Sequence, residues 1–253
     1  MGKGVVMITG ASRGIGRACA LRFAIEGYDL ALCCHHNTAL LEELCLMIRQ
    51  LSAAAPKSPP EPVRVLAFTG DMGSWEETQS FFRKTQQELG DVDILINNAG
   101  ISYIGLLTDM QPEDWQKIMA SNLDSVFHTC RLAIPSMVRR KAGRILNVSS
   151  VWGCSGASCE AAYSASKGGV NAFTQALAKE LAPSGIAVNA VAFGAVDTDM
   201  NAGFSSEERT AISDEIPAGR FASAKEAADL LFRLSQMSPY LTGQVIRYDG
   251  GWL

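Results

Sequence analysis

Short β-rich runs alternate along the chain with longer stretches patterned as helices, from one end to the other. The runs are "GVVMITG", "YDLALCC", "VRVLAF", "VDILINN", "GRILNVSS", "IAVNAVA" and "QVIRYDGG". Between them the pattern predicts helices over about 14–26, 39–51, 75–89, 113–139 and 163–181, with a last helix before the final run. Such alternation predicts an α/β fold, a doubly wound parallel sheet of seven strands with helices on both faces. No linker separates two cores, so residues 1–253 are read as one domain. The Pro-rich piece "SAAAPKSPPEP" (52–62) falls between a helix and the third strand and is read as a surface excursion.

Composition narrows the class. Hydrophobic residues make up 47% and charged residues 19%, which suits a compact globular chain rather than a disordered one. A net charge of −4, without a basic stripe, gives no electrostatic reason to expect nucleic acid. The seven cysteines show neither C-x-x-C pairs nor a cysteine/histidine metal spacing, so reduced thiols in a cytoplasm and no metal are expected. No apolar run approaches the ~18 residues of a membrane span, and no charged-then-apolar leader opens the chain. The sequon at Asn147 is set aside because it lies in a strand of a chain read as cytoplasmic.

"TGASRGIG" (9–16) joins the first strand to the first helix. Glycines at 10, 14 and 16 allow a tight turn, let a ligand approach the backbone and leave a helix N-terminus facing negative charge. At a strand end and a helix start, this is the context of a dinucleotide fingerprint in a Rossmann-type sheet. An NAD site of that kind carries an acid near the end of the second strand, whereas this chain offers Cys33, Cys34, His35, His36 and Asn37. With no carboxylate there, and with Arg13 in the turn to pair with a 2′-phosphate, NADP(H) is the expected cofactor. A solvated surface role for Arg13 is the alternative.

In "AAYSASKGG" (161–169), Tyr163 and Lys167 stand one helical turn apart and project from one face. Their small neighbours are expected to make room for a cofactor, although such residues also serve helix packing. At this point the chain resembles the short-chain dehydrogenases/reductases. The resemblance rests on "TGASRGIG", Asp71, "NNAG" (97–100), Asn122, Ser150 and "YSASK", in the family's order and spacing across nearly the whole length.

The resemblance implies a catalytic set of Asn122, Ser150, Tyr163 and Lys167. Tyr163 protonates a developing alkoxide while Ser150 holds the same oxygen. Lys167 lowers the phenol's pKa and holds the nicotinamide ribose, and Asn122 anchors a water that links Lys167 to solvent. It further implies cofactor contacts from Gly10, Ser12, Arg13, Gly14, Ile15, Gly16, His35, Asp71, Met72, Asn98, Ala99, Gly100, Tyr163, Lys167, Gly194, Val196 and Thr198. Taken singly, Tyr163 better suits a packed aromatic, Ser150 a strand-end hydroxyl and Asn122 a helix amide; taken together at these spacings, they favour catalysis.

Within the family the chain looks most like the 3-oxoacyl-acyl carrier protein reductases, and "YLTGQVIRYDGGW" resembles their tetramer-forming strand. That implies a homotetramer acting on a small or carrier-bound carbonyl. Phe193 stands where the family has proline, which is expected to loosen the following loop. Substrate contacts are expected from Ser150, Trp152, Glu160 and Tyr163. Glu160 replaces the usual glutamine and would favour a cationic group, with Trp152 adding a cation-π face. Ser184 falls where a docking cation is common, leaving Arg139, Arg140 and Lys141 nearby. "GASCE" and "VDTDM...DEIPAGR" also resemble bacterial reductases of a 5-aminopentanone modification on elongation factor P, whose substrate bears an amine. A non-catalytic dinucleotide-binding scaffold is the remaining alternative.

Overall fold

Val5 and Met7 of the first strand point to one face of the sheet and Val6 and Ile8 to the other, and all four are buried. Burial on both faces is why these strands read as unbroken apolar runs. The computed structural model describes residues 3–54 and 62–253, so most of the Pro-rich stretch 52–62 lies outside the described residues. In chain order the elements are β1 (Val5–Ile8), α1 (Gly14–Ile25), β2 (Asp29–Cys34), α2 (Thr38–Ala54), β3 (Val65–Thr69), α3 (Trp75–Glu88) and β4 (Val92–Asn97). The chain continues through α4 (Pro112–Met119), a π-helical turn at Ala120–Asp124, α5 (Ser125–Arg140), β5 (Gly143–Ser150), α6 (Trp152–Ser155), α7 (Ala161–Leu181) and β6 (Ile186–Phe193). It ends with β7 (Val196–Asp197), α8 (Ser206–Glu215), β8 (Ala222–Ser223), α9 (Ala224–Ser235) and β9 (Val245–Tyr248).

The seven-stranded sheet runs β3-β2-β1-β4-β5-β6-β9 with every neighbouring pair parallel. One core joins Cys19 and Phe23 of α1, Leu44 of α2 and Leu231 of α9 to one face. The other joins Phe81 of α3, Cys130 and Met137 of α5, and Val170 and Leu177 of α7 to the opposite face. Strand order reverses between β1 and β4, so the loops leaving their C-terminal ends diverge and open a crevice there.

Two departures from the sequence pattern bear on that crevice. The stretch 113–139, expected as one helix, is interrupted by the π turn because the Asn122 amide bonds sideways to the backbone of Ile101. The short β7/β8 pair and α8 also lie outside the seven-run reading. Two-residue strands carry no periodicity to detect. The catalytic-motif helix starts at Ala161, two residues before the expected 163.

Candidate active site

The turn after β1 approaches the start of β4's loop so closely that only glycine fits. A Cβ on Gly10, whose φ is +64, would lie 2.9 Å from the Ala99 Cα, and one on Gly16 would strike the Gly10 carbonyl. Asn98 locks the two segments together, its Nδ2 donating to the carbonyls of Thr9 and Gly10, while Thr9 Oγ1 accepts from the Asn98 and Ala99 amides. The α1 N-terminus has no side-chain cap, since Arg13 at the N-cap carries only donors, and its first turn holds no acid. That leaves backbone donors and a positive dipole end aimed along the crevice, a donor set that fits a diphosphate. The residues present therefore fit a dinucleotide.

At the crevice floor the side chains of α7 and the π turn converge. Asn122 is fully buried; its Nδ2 donates to Ile101 O at 2.9 Å and to Ser166 Oγ at 3.0 Å, and its Oδ1 accepts from Ile101 N at 2.8 Å. Lys167 is 4% exposed and its Nζ donates to the Val148 carbonyl at 2.8 Å. A Cβ on Gly100 would fall 3.2 Å from Asn122 Oδ1 and 3.4 Å from Lys167 Nζ, so this glycine keeps the floor open beside both. Tyr163 is 9% exposed, and its phenol shares a hydrogen bond with Ser150. Ser150, the last residue of β5, also accepts from the Trp152 amide at 3.2 Å.

Electrostatics at this cluster are set by burial. Burial pushes the Tyr163 phenol up to about 12; the Ser150 hydrogen bond opposes this and the Glu160 charge adds to it. Burial alone pulls the Lys167 ammonium down to about 8. The Lys167 ammonium lies 5.8 Å from the Tyr163 ring centre and bonds to the Val148 carbonyl; its expected effect on the phenol acts together with the positive charge of an oxidised nicotinamide.

Small residues in α7 turn out to serve the backbone of their neighbours. A Cβ on Gly153 would lie 2.6 Å from the Lys167 carbonyl carbon, and one on Gly168 would lie 3.4 Å from the Gly153 carbonyl oxygen, so α6 and α7 meet main chain to main chain. Gly169 likewise abuts Leu123 of the π turn. Gly168 and Gly169 thus face α6 and the π turn, the helix-packing role weighed for the small residues beside room for a cofactor.

A sequence model of the short chain dehydrogenase family matches residues 4–209. The chain belongs to the short-chain dehydrogenase/reductase family. It is 39% identical over 247 residues to a Bacillus subtilis protein named uncharacterized oxidoreductase YmfI, covering 97% of each chain. It is 37% identical over 248 residues to the 3-oxoacyl-[acyl-carrier-protein] reductase FabG of Escherichia coli, covering 98% of this chain and 96% of that one. Among solved structures, a 3-oxoacyl-[acyl-carrier protein] reductase from Brucella melitensis superposes with a TM-score of 0.90 at 30% identity, over 100% of this chain and 92% of the other. The chain is accordingly an oxidoreductase of a nicotinamide-dependent family.

The residues expected at the cofactor crevice of this short-chain dehydrogenase/reductase family member are placed as follows. Ser12 is buried in the turn, and Ile15 packs against the core behind it. Gly194 continues from β6, where a Cβ would meet the Asp249 Cα at 2.9 Å; Val196 is buried in β7, and Thr198 lies 3.3 Å from a Cβ built on Gly14. His35 lies exposed after β2, stacked on His36 at 3.6 Å. Asp71 is partly engaged, its Oδ1 accepting from the Gly73 amide at 2.8 Å. The Met72 side chain is buried in the core, and its carbonyl accepts from Thr78 Oγ1. Arg13 reaches across the crevice mouth to Asp199, Nη1 to Oδ2 3.7 Å. No cluster of His, Cys, Asp or Glu suited to a metal occurs among the described residues.

Three further positions bear on the site. Phe193, which stands where the family has proline, is buried, paired in the sheet with both Ser150 and Tyr248, and its carbonyl accepts from the Val151 amide. The basic residues Arg139 and Arg140 lie at the N-terminal end of β4, away from the crevice, and pair with Asp91 and Asp93. That surface also carries Ser184: a Cβ built on the next residue, Gly185, would lie 3.0 Å from the Lys141 carbonyl oxygen, so the three basic residues and Ser184 are neighbours as expected. Trp252, absent from the expected site, meets the Trp152 ring edge-on with centres 5.1 Å apart. A contact between residues one hundred positions apart leaves no local signal.

Proposed function

We propose that the protein reduces a ketone to a secondary alcohol with NADPH, and that the ketone is a 3-oxoacyl group on a carrier. The observation that carries this reading is the convergence of Ser150, Tyr163, Lys167 and Asn122 beside an uncapped glycine turn. NADPH would supply the hydride and, once oxidised, a positive charge beside the phenol. First-turn amides of α1 would hold the diphosphate, and Arg13 would leave Asp199 for the 2′-phosphate. Asp71 would take the adenine amino group, Asn98 would brace the floor, and Lys167 would hold the nicotinamide ribose.

In this reading Tyr163 is the general acid, worth about 10²–10⁴ in rate. A phenol held protonated at neutral pH suits that role, and Ser150 donates to the oxygen on which charge develops. The Asn122 amide holds the Ile101 loop and Ser166 while shaping the space next to Lys167. NADPH absorbance loss with acetoacetyl thioester tests the proposal; a Tyr163→Phe variant as fast as the parent would remove Tyr163 from the mechanism, and a non-catalytic scaffold would show no turnover in either.

A second substrate, an amine-bearing ketone such as the aminopentanone group on elongation factor P, is favoured by Glu160. This half-buried N-cap carboxylate makes no cap hydrogen bond, stands three residues before Tyr163, and has its carboxyl pushed up by burial. A cation there would relieve that cost. As for assembly, exposed Trp115, Phe127 and Val138 on α4 and α5, together with the open edge of β9, suit a homotetramer. We place the reaction in the cytoplasm. Among the described residues no helix is long and apolar enough to cross a membrane.

A further inference from the structure

Ser150, Phe193 and Tyr248 end three adjacent strands, β5, β6 and β9, and the chain leaves each of them toward the catalytic side. Trp152 follows Ser150 by two residues and its amide donates to the serine's Oγ at 3.2 Å. Trp252 follows β9 at the end of a turn fastened by Asp249, whose carboxylate accepts from the amides of Gly251 and Leu253. Asp249 in turn packs on Gly194 at the end of β6. The two indoles meet at 5.1 Å and 63°, an edge-to-face arrangement, so they arch over the end of β6 from either side. Trp252 Nε1 donates to Glu215 Oε2 at 3.4 Å, which brings the end of α8 to the same point. α8 buries none of its own residues, so this is one of its few fastenings to the crevice.

We propose that Trp252 is a specificity-determining residue: with Trp152 it forms the end wall of the substrate groove next to Ser150 and Tyr163. The wall limits how far an acyl chain or other substituent of the ketone extends past the reacting carbon. The inference rests on the ketoreductase reading and adds to it the length selection. Both indoles are only half-buried, so each keeps a solvent-accessible part with which to meet a ligand. Phenylalanine at 252 would keep the edge contact and lose only the bond to Glu215.

The test compares acetoacetyl and 3-oxooctanoyl thioesters with NADPH for the parent, Trp252→Ala and Trp252→Phe. The ratio of kcat/KM for the long substrate over the short one should rise about tenfold or more in Trp252→Ala, through KM, the scale of at least one methylene admitted to an apolar pocket. Trp252→Phe should stay near the parent ratio. An unchanged ratio in Trp252→Ala overturns the proposal, as does an equal fall in kcat for both substrates at constant KM, which marks a merely structural tail. Failure of the parent to reduce either thioester would take down the substrate reading separately. Equilibrium binding of the two thioesters to Tyr163→Phe protein with NADPH, with and without Trp252→Ala, then decides the wall: the same shift in ratio supports it, and no shift or no binding overturns it.

Discussion

Gly153 and Lys167 touch through their main chains: a side chain on the glycine would begin 2.6 Å from the lysine's carbonyl carbon. Helix α6 therefore rests on the backbone turn that carries the buried ammonium. Gly153→Ala must push the two apart. A loss of about 1–3 kcal/mol in stability is expected, as for other overpacked sites, together with a fall in kcat larger than any change in KM for NADPH. Urea unfolding and steady-state rates on one preparation check both; a variant as stable and as fast as the parent would contradict the contact.

Stability should carry the mark of the two displaced pKa values. Lys167 falls from 10.5 to about 8, so between those pH values the unfolded chain holds a proton that the folded one has lost. Stability from this group therefore rises with pH across that window, by up to about 3 kcal/mol. Tyr163 is displaced upward from 10.0 to about 12, so its contribution falls as pH climbs through that range. Unfolding free energies of the parent and Lys167→Met from pH 7 to 10 should diverge in the parent's favour as pH increases. Parallel curves would show that the ammonium is not buried at such cost.

Arg13 and Asp199 face each other across the crevice mouth, both well exposed. Arg13→Ala should weaken NADPH binding by about tenfold or more while leaving NADH within about twofold, the scale of one charge-assisted contact. Asp199→Asn should do the reverse for NADPH, tightening it by removing a competitor. Titration of each nucleotide by fluorescence tests the pair; equal losses of both nucleotides in Arg13→Ala would end the 2′-phosphate assignment.

Glu160→Gln separates the two substrate readings. An aminoketone should lose about tenfold in kcat/KM, the scale of one charge-assisted hydrogen bond, and a neutral 3-oxoacyl thioester should lose none. The same change removes a charge that holds the Tyr163 phenol up, so the alkaline limb of the pH–rate profile should shift to lower pH in the variant. Equal losses on both substrates would dismiss ammonium binding.

What the sequence made legible was whatever repeats locally. Buried strands announced themselves as apolar runs because both faces are covered, and Tyr163 with Lys167 by their four-residue offset, which α7 preserves. The π turn stayed hidden because five residues are too few for 3.6 and wider periods to differ. Lys167's bond to the Val148 carbonyl and the Trp152–Trp252 contact stayed hidden because they join segments that only the sheet brings together.

The wide turn at Ala120–Asp124 makes the helix through Asn122 one residue out of phase with its own beginning. Each residue advances an α-helix by about 100°. Deleting a residue from that turn would thus re-clock the helix downstream, turning Val126, Cys130 and Ala133 away from the sheet. An engineer who straightened it for regularity would unseat Val126, Cys130, Ala133 and Met137 from the core on that side along with the amide.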